Sequence, residues 1–331
     1  IMPFLRTVLG DIEASQAGIC YAHEHIIIDP SFTTYRYPDF LLDSVERACV
    51  DVAEFHAAGG RTLVDSMPCG GGRNPTKLAE ICRVTGVNIV CPTGLHLAKY
   101  YAPGHWGERL NAEELARLFV ADIEQGIDSA DYNGPEISRT RHKAGVVKVA
   151  TGANSPSARE RKAFEAAAIA HQQTGAPILT HTEQGAGALE QVRLFEEFRV
   201  PLQHVVISHT DRAADRAYHQ EILSTGVILE YDSAFRWGPE AGNLTLDLVV
   251  AMVAAGFGQQ IVLGMDAARR KYWKAYGGAP GLAFLLRDFV PRLIEAGLTK
   301  ADIEKIFVSN PAKCYAFRSL PANKRTGPLH A

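Results

Sequence analysis

The 331-residue chain is 47% hydrophobic and 21% charged, with 34 Lys and Arg against 37 Asp and Glu and a formal net charge of −3. That balance offers no concentrated basic face for nucleic acid or an anionic membrane, and the longest apolar stretch, 248–257, is far short of the roughly 18 residues of a membrane span. Six scattered cysteines without a C-x-x-C pair argue against a disulfide framework or a thiolate zinc site; with no charged-then-apolar leader pattern, they lead us to expect a cytoplasmic protein.

Short apolar runs rich in β-branched residues alternate along the chain with longer stretches of helical period. A first strand is predicted at 18–25, followed by a helical pattern at 42–58 and strands at 61–65 and 88–93. Helix 112–125 then precedes strand 144–150, helix 157–174 precedes strand 177–181, and helix 186–197 precedes strand 204–209. Helix 212–224 with strand 226–230 and helix 245–255 with strand 260–266 complete the series. Ser157 is a favourable N-cap, and Gly175-Ala176-Pro177 stops its helix. The strand runs are nearly all apolar, as parallel strands covered on both faces require. Eight β/α repeats predict a closed α/β barrel, the (β/α)8 TIM barrel. An open doubly wound sheet is the competitor, since strand number alone does not show closure. Without an internal repeat, low-complexity tract or linker, we expect a single domain over 1–331. Its barrel would span about 7–317, with a terminal helix at 300–317 and a polar tail at 318–331.

Six of these strands end, or nearly end, in a titratable or metal-capable group: His23 and His25, Asp65, Lys148, His181, His209 and Asp266. In a parallel barrel the carboxyl ends of the strands converge on one mouth, where active sites are built. His23-x-His25 places both imidazoles on the same side of one strand, so one ion can take both. Four neutral imidazoles and a carboxylate suit zinc or a similar divalent ion. Each residue taken singly has a plain structural explanation: a surface H-x-H, a hydrogen-bonded core histidine, an aspartate capping a turn. Lys148, within Val146-Val147-Lys148-Val149, would be a lysine paired with a carboxylate, because an unpaired buried ammonium is costly. Their co-occurrence at the strand ends of one barrel favours a shared site.

Five motifs carry a resemblance. Tyr21-Ala22-His23-Glu24-His25-Ile26, Gly145-Val146-Val147-Lys148-Val149-Ala150, Ile178-Leu179-Thr180-His181-Thr182-Glu183, Ile207-Ser208-His209-Thr210-Asp211 and Val262-Leu263-Gly264-Met265-Asp266 closely resemble those of the phosphotriesterase-like group of the amidohydrolase superfamily, lactonases included. The likeness runs from about Thr7 to Phe317 and takes in Ser309-Asn310-Pro311-Ala312. It implies a (β/α)8 barrel with a binuclear metal centre at the C-terminal ends of the strands. By the matching positions, His23, His25 and Asp266 would hold the buried ion, and His181 and His209 the more exposed one. Lys148, N6-carboxylated by carbon dioxide, would bridge both; a protonated lysine repels cations, whereas its carbamate is an anion with two oxygens. Zinc is the first expectation, and manganese, cobalt and iron also suit this ligand set. The residual positive charge would lower the pKa of bound water from about 15.7 toward about 7, supplying a metal-bridging hydroxide as nucleophile. Asp266 would accept the proton and pass it to the leaving group or solvent. All six ligand positions are present, so the resemblance implies an active metal-dependent hydrolase of ester bonds.

Substrate choice is expected in the loops after the strands. His96 stands, in Gly94-Leu95-His96-Leu97, where the acyl-homoserine-lactone-cleaving branch of the family usually has Tyr. Tyr231, in Glu230-Tyr231-Asp232-Ser233, lies about where that branch has Arg. Both departures turn expectation away from long-chain lactones and paraoxonase-type activity and make His96 and Tyr231 candidate substrate contacts. The run Ala267-Ala268-Arg269-Arg270-Lys271-Tyr272-Trp273-Lys274 follows Asp266 directly. It resembles relatives that hydrolyse phosphorylated sugar lactones, whose phosphate is held by Arg, Lys and Tyr of the last two loops. The matching positions make Arg236, Arg270 and Tyr272 the candidates, with Arg269 as a substitute. Arg suits phosphate because its planar fork makes parallel charge-assisted hydrogen bonds; the alternative is a solvated basic turn facing surface carboxylates. Gly70-Gly71-Gly72-Arg73 is a weaker hint of close backbone approach, and Cys69 is expected to be a bystander.

The leading expectation is thus a binuclear lactonase acting on an anionic lactone, a phosphorylated sugar lactone foremost. Its rivals are hydrolysis of another carboxylic ester, an amide or an organophosphate triester by the same centre, and a non-catalytic small-molecule-binding barrel. A small-molecule substrate is the expected partner, and family habit favours a homodimer. Tyr35, Tyr37, Phe40, Tyr100 and Trp106 are candidates for a pocket rim or a dimer face.

Overall fold

The computed structural model describes residues 2–238 and 242–320. The chain opens with an antiparallel hairpin, β1 (Phe4–Thr7) and β2 (Gly10–Glu13), that the sequence pattern does not announce. The parallel strands follow: β3 (Ile19–Glu24), β4 (Gly60–Asp65), β5 (Asn88–Val90), β6 (Pro92–Gly94), β7 (Val146–Thr151) and β8 (Ile178–Thr182). They continue with β9 (Val205–Ser208), β10 (Ile228–Tyr231) and β11 (Ile261–Leu263). Neighbours in sequence are neighbours in space, as two arcs β3-β4-β5 and β6-β7-β8-β9-β10-β11.

Both seams between the arcs have local causes. The predicted strand 88–93 is one run of chain that pairs first with β4 and then, beyond Cys91, with β7. Pro92 has no N–H to give to a ladder, so the pairing changes sides there. Gly94 follows with φ +111°, and a Cβ on it would sit 1.9 Å from the Lys148 carbonyl oxygen. At the other seam β11 runs against β3: Met265 and Asp266 donate their N–H groups to the His23 carbonyl at 3.2 and 3.0 Å. The Met265 N–H lies 2.8 Å from Glu24 Oε1 as well. Gly264 permits this approach, since a Cβ there would lie 2.7 Å from the His23 backbone. Counting β5 and β6 together, eight parallel strands close into the predicted ring, and the open-sheet alternative is excluded.

Helices cover the outside. Ala158–Thr174 has the expected ends: Ser157 accepts the Glu160 N–H, and Gly175 closes it at φ +78°. Several boundaries move, most clearly in two helices. The helix predicted from 212 begins at Arg216, because Asp215 caps it by accepting the Ala217 and Tyr218 N–H groups while Thr210–Arg212 form a tight turn. The predicted terminal helix 300–317 is broken into Lys300–Glu304, a wide π-type turn Lys305–Ser309 and Asn310–Cys314, where Pro311 cannot continue the ladder. A helix at Pro75–Thr85, capped by Asn74, is an addition. The expected polar tail falls mostly outside the described residues, from 321 onward. Among the described residues no helix is long and apolar enough to cross a membrane.

Two apolar clusters hold the fold. The outer one, between strands and helices, centres on aromatics such as Tyr21, Phe55, Phe119, Phe164, Phe195 and Phe307, each worth about 1.5–3 kcal/mol when fully buried. The inner one fills the base of the ring with Val64, Val90, Val146, Leu179, Val206 and Val262. Tyr315 seals it from below, its hydroxyl donating to the Ala22 carbonyl at 2.6 Å.

Candidate active site

Strand geometry lifts the polar residues just above that apolar base. Side chains two apart on a strand share a face, so Val146 and Leu179 of the base are followed on the same side by Lys148 and His181. His23 and His25 reach the site from the irregular end of β3, where the register with β4 shifts between Tyr21 and Glu24. His209 and Asp266 lie just past β9 and β11 with φ of +68° and +47°. Left-handed backbone on such residues costs on the order of 1–3 kcal/mol and tends to persist where function demands it.

These side chains converge. Lys148 Nζ lies 3.3 Å from His23 Nε2, and Asp266 Oδ1 lies 3.3 Å from His25 Nε2 and 3.8 Å from His23 Nε2. The ring of His209 is 4.8 Å from that of His23 and 4.5 Å from that of His181, centroid to centroid. Ligand atoms of His23, His25 and Asp266 all lie within 4.8 Å of one another, as do those of His23, His209, Glu230 and Asp232. Asp65, in contrast, is a backbone brace: it accepts the N–H groups of Ile26 and Met67.

A surrounding layer holds the imidazoles by their outer nitrogens. His23 Nδ1 meets Ser208 Oγ at 3.0 Å, and His209 Nδ1 is hydrogen-bonded to Asp232. Arg212 Nη2 donates to Asp232 Oδ1 at 3.0 Å and to Asp266 Oδ2 at 2.9 Å. Arg236 Nη2 adds 3.1 Å to Asp266 Oδ2 and 2.7 Å to the Asp266 carbonyl. Burial alone would push the Asp266 carboxyl up, but the His25 hydrogen bond and the His209 and Arg236 charges hold it well below the usual range. Burial pushes His23 well below the ordinary imidazole range, lowers His209, and lowers His181 to about 3. It also lowers the Lys148 ammonium to about 8, against the pull of Asp266, Glu230 and Asp232.

The donor set fits divalent cations. His25 Nδ1 and His181 Nε2 are buried without a hydrogen-bond partner, and Lys148 makes no ion pair, among the described residues. Imidazole nitrogens without partners, a carboxylate and a buried lysine without an ion pair are what a metal site offers and a plain core does not.

Above the cluster opens a cavity of about 290 Å³. His96, Arg236, Arg269 and Tyr272 line it, and Arg236 Nη1 donates to the Tyr272 hydroxyl at 2.9 Å. Two sequence candidates lie elsewhere. Tyr231 is fully buried on the outer face of β10, because Glu230 and Asp232 on either side point inward; its hydroxyl meets His219 Nδ1 at 2.8 Å. Arg270 braces the loop from outside, donating through Nε to the Leu41 carbonyl at 2.6 Å and stacking on Tyr276. Its neighbour Arg269 takes the inward position, over the Phe40 ring and paired with Asp39. The structure adds residues the sequence reading passed over: Arg212, and Lys99, whose Nζ lies 2.7 Å from Glu183 Oε2, itself 3.6 Å from His181 Nε2. Period-2 alternation could have flagged Asp232, but no local signal marks Arg212 or Lys99. Of the rim aromatics, Tyr37, Phe40 and Tyr100 line the cavity. Arg73 is structural, fully buried against Asp122 and Asp131 at 2.9 and 3.0 Å, and burial raises the Cys69 thiol to about 12.

A family model described as "Phosphotriesterase family" matches residues 3–315. The chain is 35% identical over 324 residues to a phospho-furanose lactonase of Mycoplasmopsis synoviae, covering 95% of this chain and 92% of that one. Among solved structures, a lactonase from Listeria monocytogenes superposes with a TM-score of 0.87 at 33% identity, covering 96% of this chain and 100% of the other. The phosphotriesterase homology protein from Escherichia coli, complexed with phosphate in its active site, gives 0.81 at 30% identity, covering 91% and 99%.

Proposed function

The chain belongs to the phosphotriesterase family, and from that premise we propose that it is a binuclear metal-dependent lactonase whose substrate is a phosphorylated furanose lactone. The observation that carries this is the meeting, in one cavity, of the His23–His25–Asp266 cluster with the cationic and hydroxyl groups of Arg236, Arg269 and Tyr272. His23, His25 and Asp266 would hold one ion, His181 and His209 the other, and Lys148 as its carbamate would serve both. Two divalent ions bound there supply the positive charge that polarises an ester carbonyl and acidifies water.

The remaining work falls to side chains. Asp266 turns Oδ1 toward His23 and His25, leaving Oδ2 to Arg212 and Arg236. As water adds to the lactone carbonyl, the Asp266 carboxylate takes the released proton; when the ring C–O bond breaks, it returns that proton to the alkoxide. Arg212, tied to Asp232 and Asp266 at once, fixes the carboxylate between the two events. At the rim, the Arg236 and Arg269 guanidiniums and the Tyr272 hydroxyl supply donors for a phosphate dianion. A cavity of about 290 Å³ suits a sugar-sized molecule better than a long acyl chain. Both the name of the Mycoplasmopsis relative and the phosphate in the E. coli active site support this direction.

Proton release tests it, with metal-loaded protein against phosphorylated and plain sugar lactones, homoserine lactones and an aryl phosphotriester, and with metal-stripped protein as the blank. Metal-dependent turnover should favour the phosphorylated lactones. Arg269→Met, which leaves Asp266 untouched, should raise KM for them about tenfold or more while leaving the plain lactones unchanged. An equal effect on both removes the phosphate site. Turnover of the phosphotriester alone makes the chain an organophosphate hydrolase, and silence throughout makes it a binding barrel.

A further inference from the structure

His96 lines the cavity beside the cluster, and its surroundings decide which of its nitrogens carries a proton. The Leu97 main-chain N–H donates to His96 Nδ1 at 2.7 Å. A nitrogen that accepts a hydrogen bond bears a lone pair, so the single proton of the ring sits on Nε2. A proton on Nδ1 would collide with the Leu97 N–H, so the contact selects the Nε2–H tautomer. The ring is also held in place. It packs edge-on to Tyr100 at 4.4 Å between centroids and at 4.6 Å from His181. The backbone of His96 is pinned from both sides: its N–H donates to the Tyr101 hydroxyl at 2.8 Å, and its carbonyl accepts from Arg159 Nη1 at 3.0 Å. Nε2 has no hydrogen-bond partner among the described residues, in a side chain that borders the cavity.

We propose that His96 is a catalytic hydrogen-bond donor of fixed tautomer. Its Nε2–H is directed at the carbonyl oxygen of the scissile ester, and the residue acts as neither acid nor base. This rests on the lactonase reading above. When water adds to the carbonyl, the π electrons move onto oxygen, and a donor already aimed there gains strength as the charge grows. No proton is transferred, because a neutral imidazole N–H is far too weak an acid; the C=O bond reforms as the ring C–O bond breaks, and the His96 proton stays on Nε2 throughout. Leu97 thereby has a role that its apolar side chain conceals. Its N–H occupies the Nδ1 lone pair, so that His96 does not act as a base through that nitrogen.

Nitrogen NMR and kinetics test this separately. In 15N-labelled protein, long-range proton–nitrogen correlations should show His96 with a protonated Nε2 and a bare Nδ1. His96→Ala should lower kcat about a hundredfold with KM within about threefold. His96→Gln, which restores an N–H donor, should recover most of the loss, and all variants should keep the pH profile of the wild type. A proton on Nδ1, an unchanged kcat in His96→Ala, or a pH limb that disappears with His96 overturns the proposal. If the wild-type protein hydrolyses no ester, the lactonase reading fails and the catalytic role falls with it, whereas the tautomer is still decided by the nitrogen spectrum.

Discussion

Inside the ring of strands, two layers lie a single strand repeat apart and have opposite chemistry. In the lower layer Val146, Leu179, Val206 and Ile228 pack with no polar atom among their side chains. Two residues further along the same strands stand Lys148, His181, Ser208 and Glu230, all buried, with charged or hydrogen-bonding groups. The lower layer draws stability from area removed from water, about 25 cal/mol per Å². The upper layer is expensive in itself, and it persists through hydrogen bonds and ion pairs such as Arg212 with Asp232 and Asp266. Stability and chemistry are stacked: the apolar floor closes the ring from below, and the polar layer faces the cavity.

The sharpest way to break that pairing is Lys148→Met, which keeps length and apolar stem and deletes the charge. Turnover should fall by on the order of a thousandfold, equivalent to ~4 kcal/mol of transition-state stabilisation. The Tm of the metal-free protein should hold steady or rise, because a 1%-exposed ammonium without an ion pair among the described residues is removed. Loss of both activity and metal-free stability would mean that Lys148 is a structural residue of the core. Leu179→Ala, one step below His181, should do the reverse. It should cost about 2–5 kcal/mol of stability, read by denaturant unfolding, while the folded fraction keeps kcat within a few-fold. A collapse of kcat at full folding would show that the floor sets the geometry of the mouth.

This layering explains what could be read from sequence. The eight parallel strands are visible because ladders buried on both faces demand continuous apolar runs, and the polar exceptions at their ends mark the mouth. β1 and β2 escape because four-residue strands such as Phe4–Thr7 carry too few residues for a period. Tyr231 was misplaced although alternation was available: with Glu230 and Asp232 inward, the residue between them faces out. Arg269 and Arg270 could not be separated, since a loop has no period to say which of two adjacent arginines turns inward. Arg212 reads as a solvated residue at the start of a helix, and only the fold brings it to Asp266, 54 residues on.

The smallest test asks whether acid sensitivity belongs to the mouth alone. His204 enters β9 at the end of the ring remote from the cavity, its ring 5.4 Å from that of His171. Burial, with the charges of His171, Arg318 and Lys313, lowers His204 to about 4, and burial lowers His171 as well. The unfolded chain, with histidine near about 6.5, therefore binds more protons than the fold between about pH 6.5 and about pH 4. The resulting stability is fully present above that window and lost as pH falls through it. His204→Gln removes one of these protonations and should reduce the fall in Tm between pH 7 and pH 4 by roughly a degree or two, with the metal-stripped protein used so that ligand protonation at the mouth is common to both. Parallel Tm curves for wild type and variant would remove His204 from the acid response.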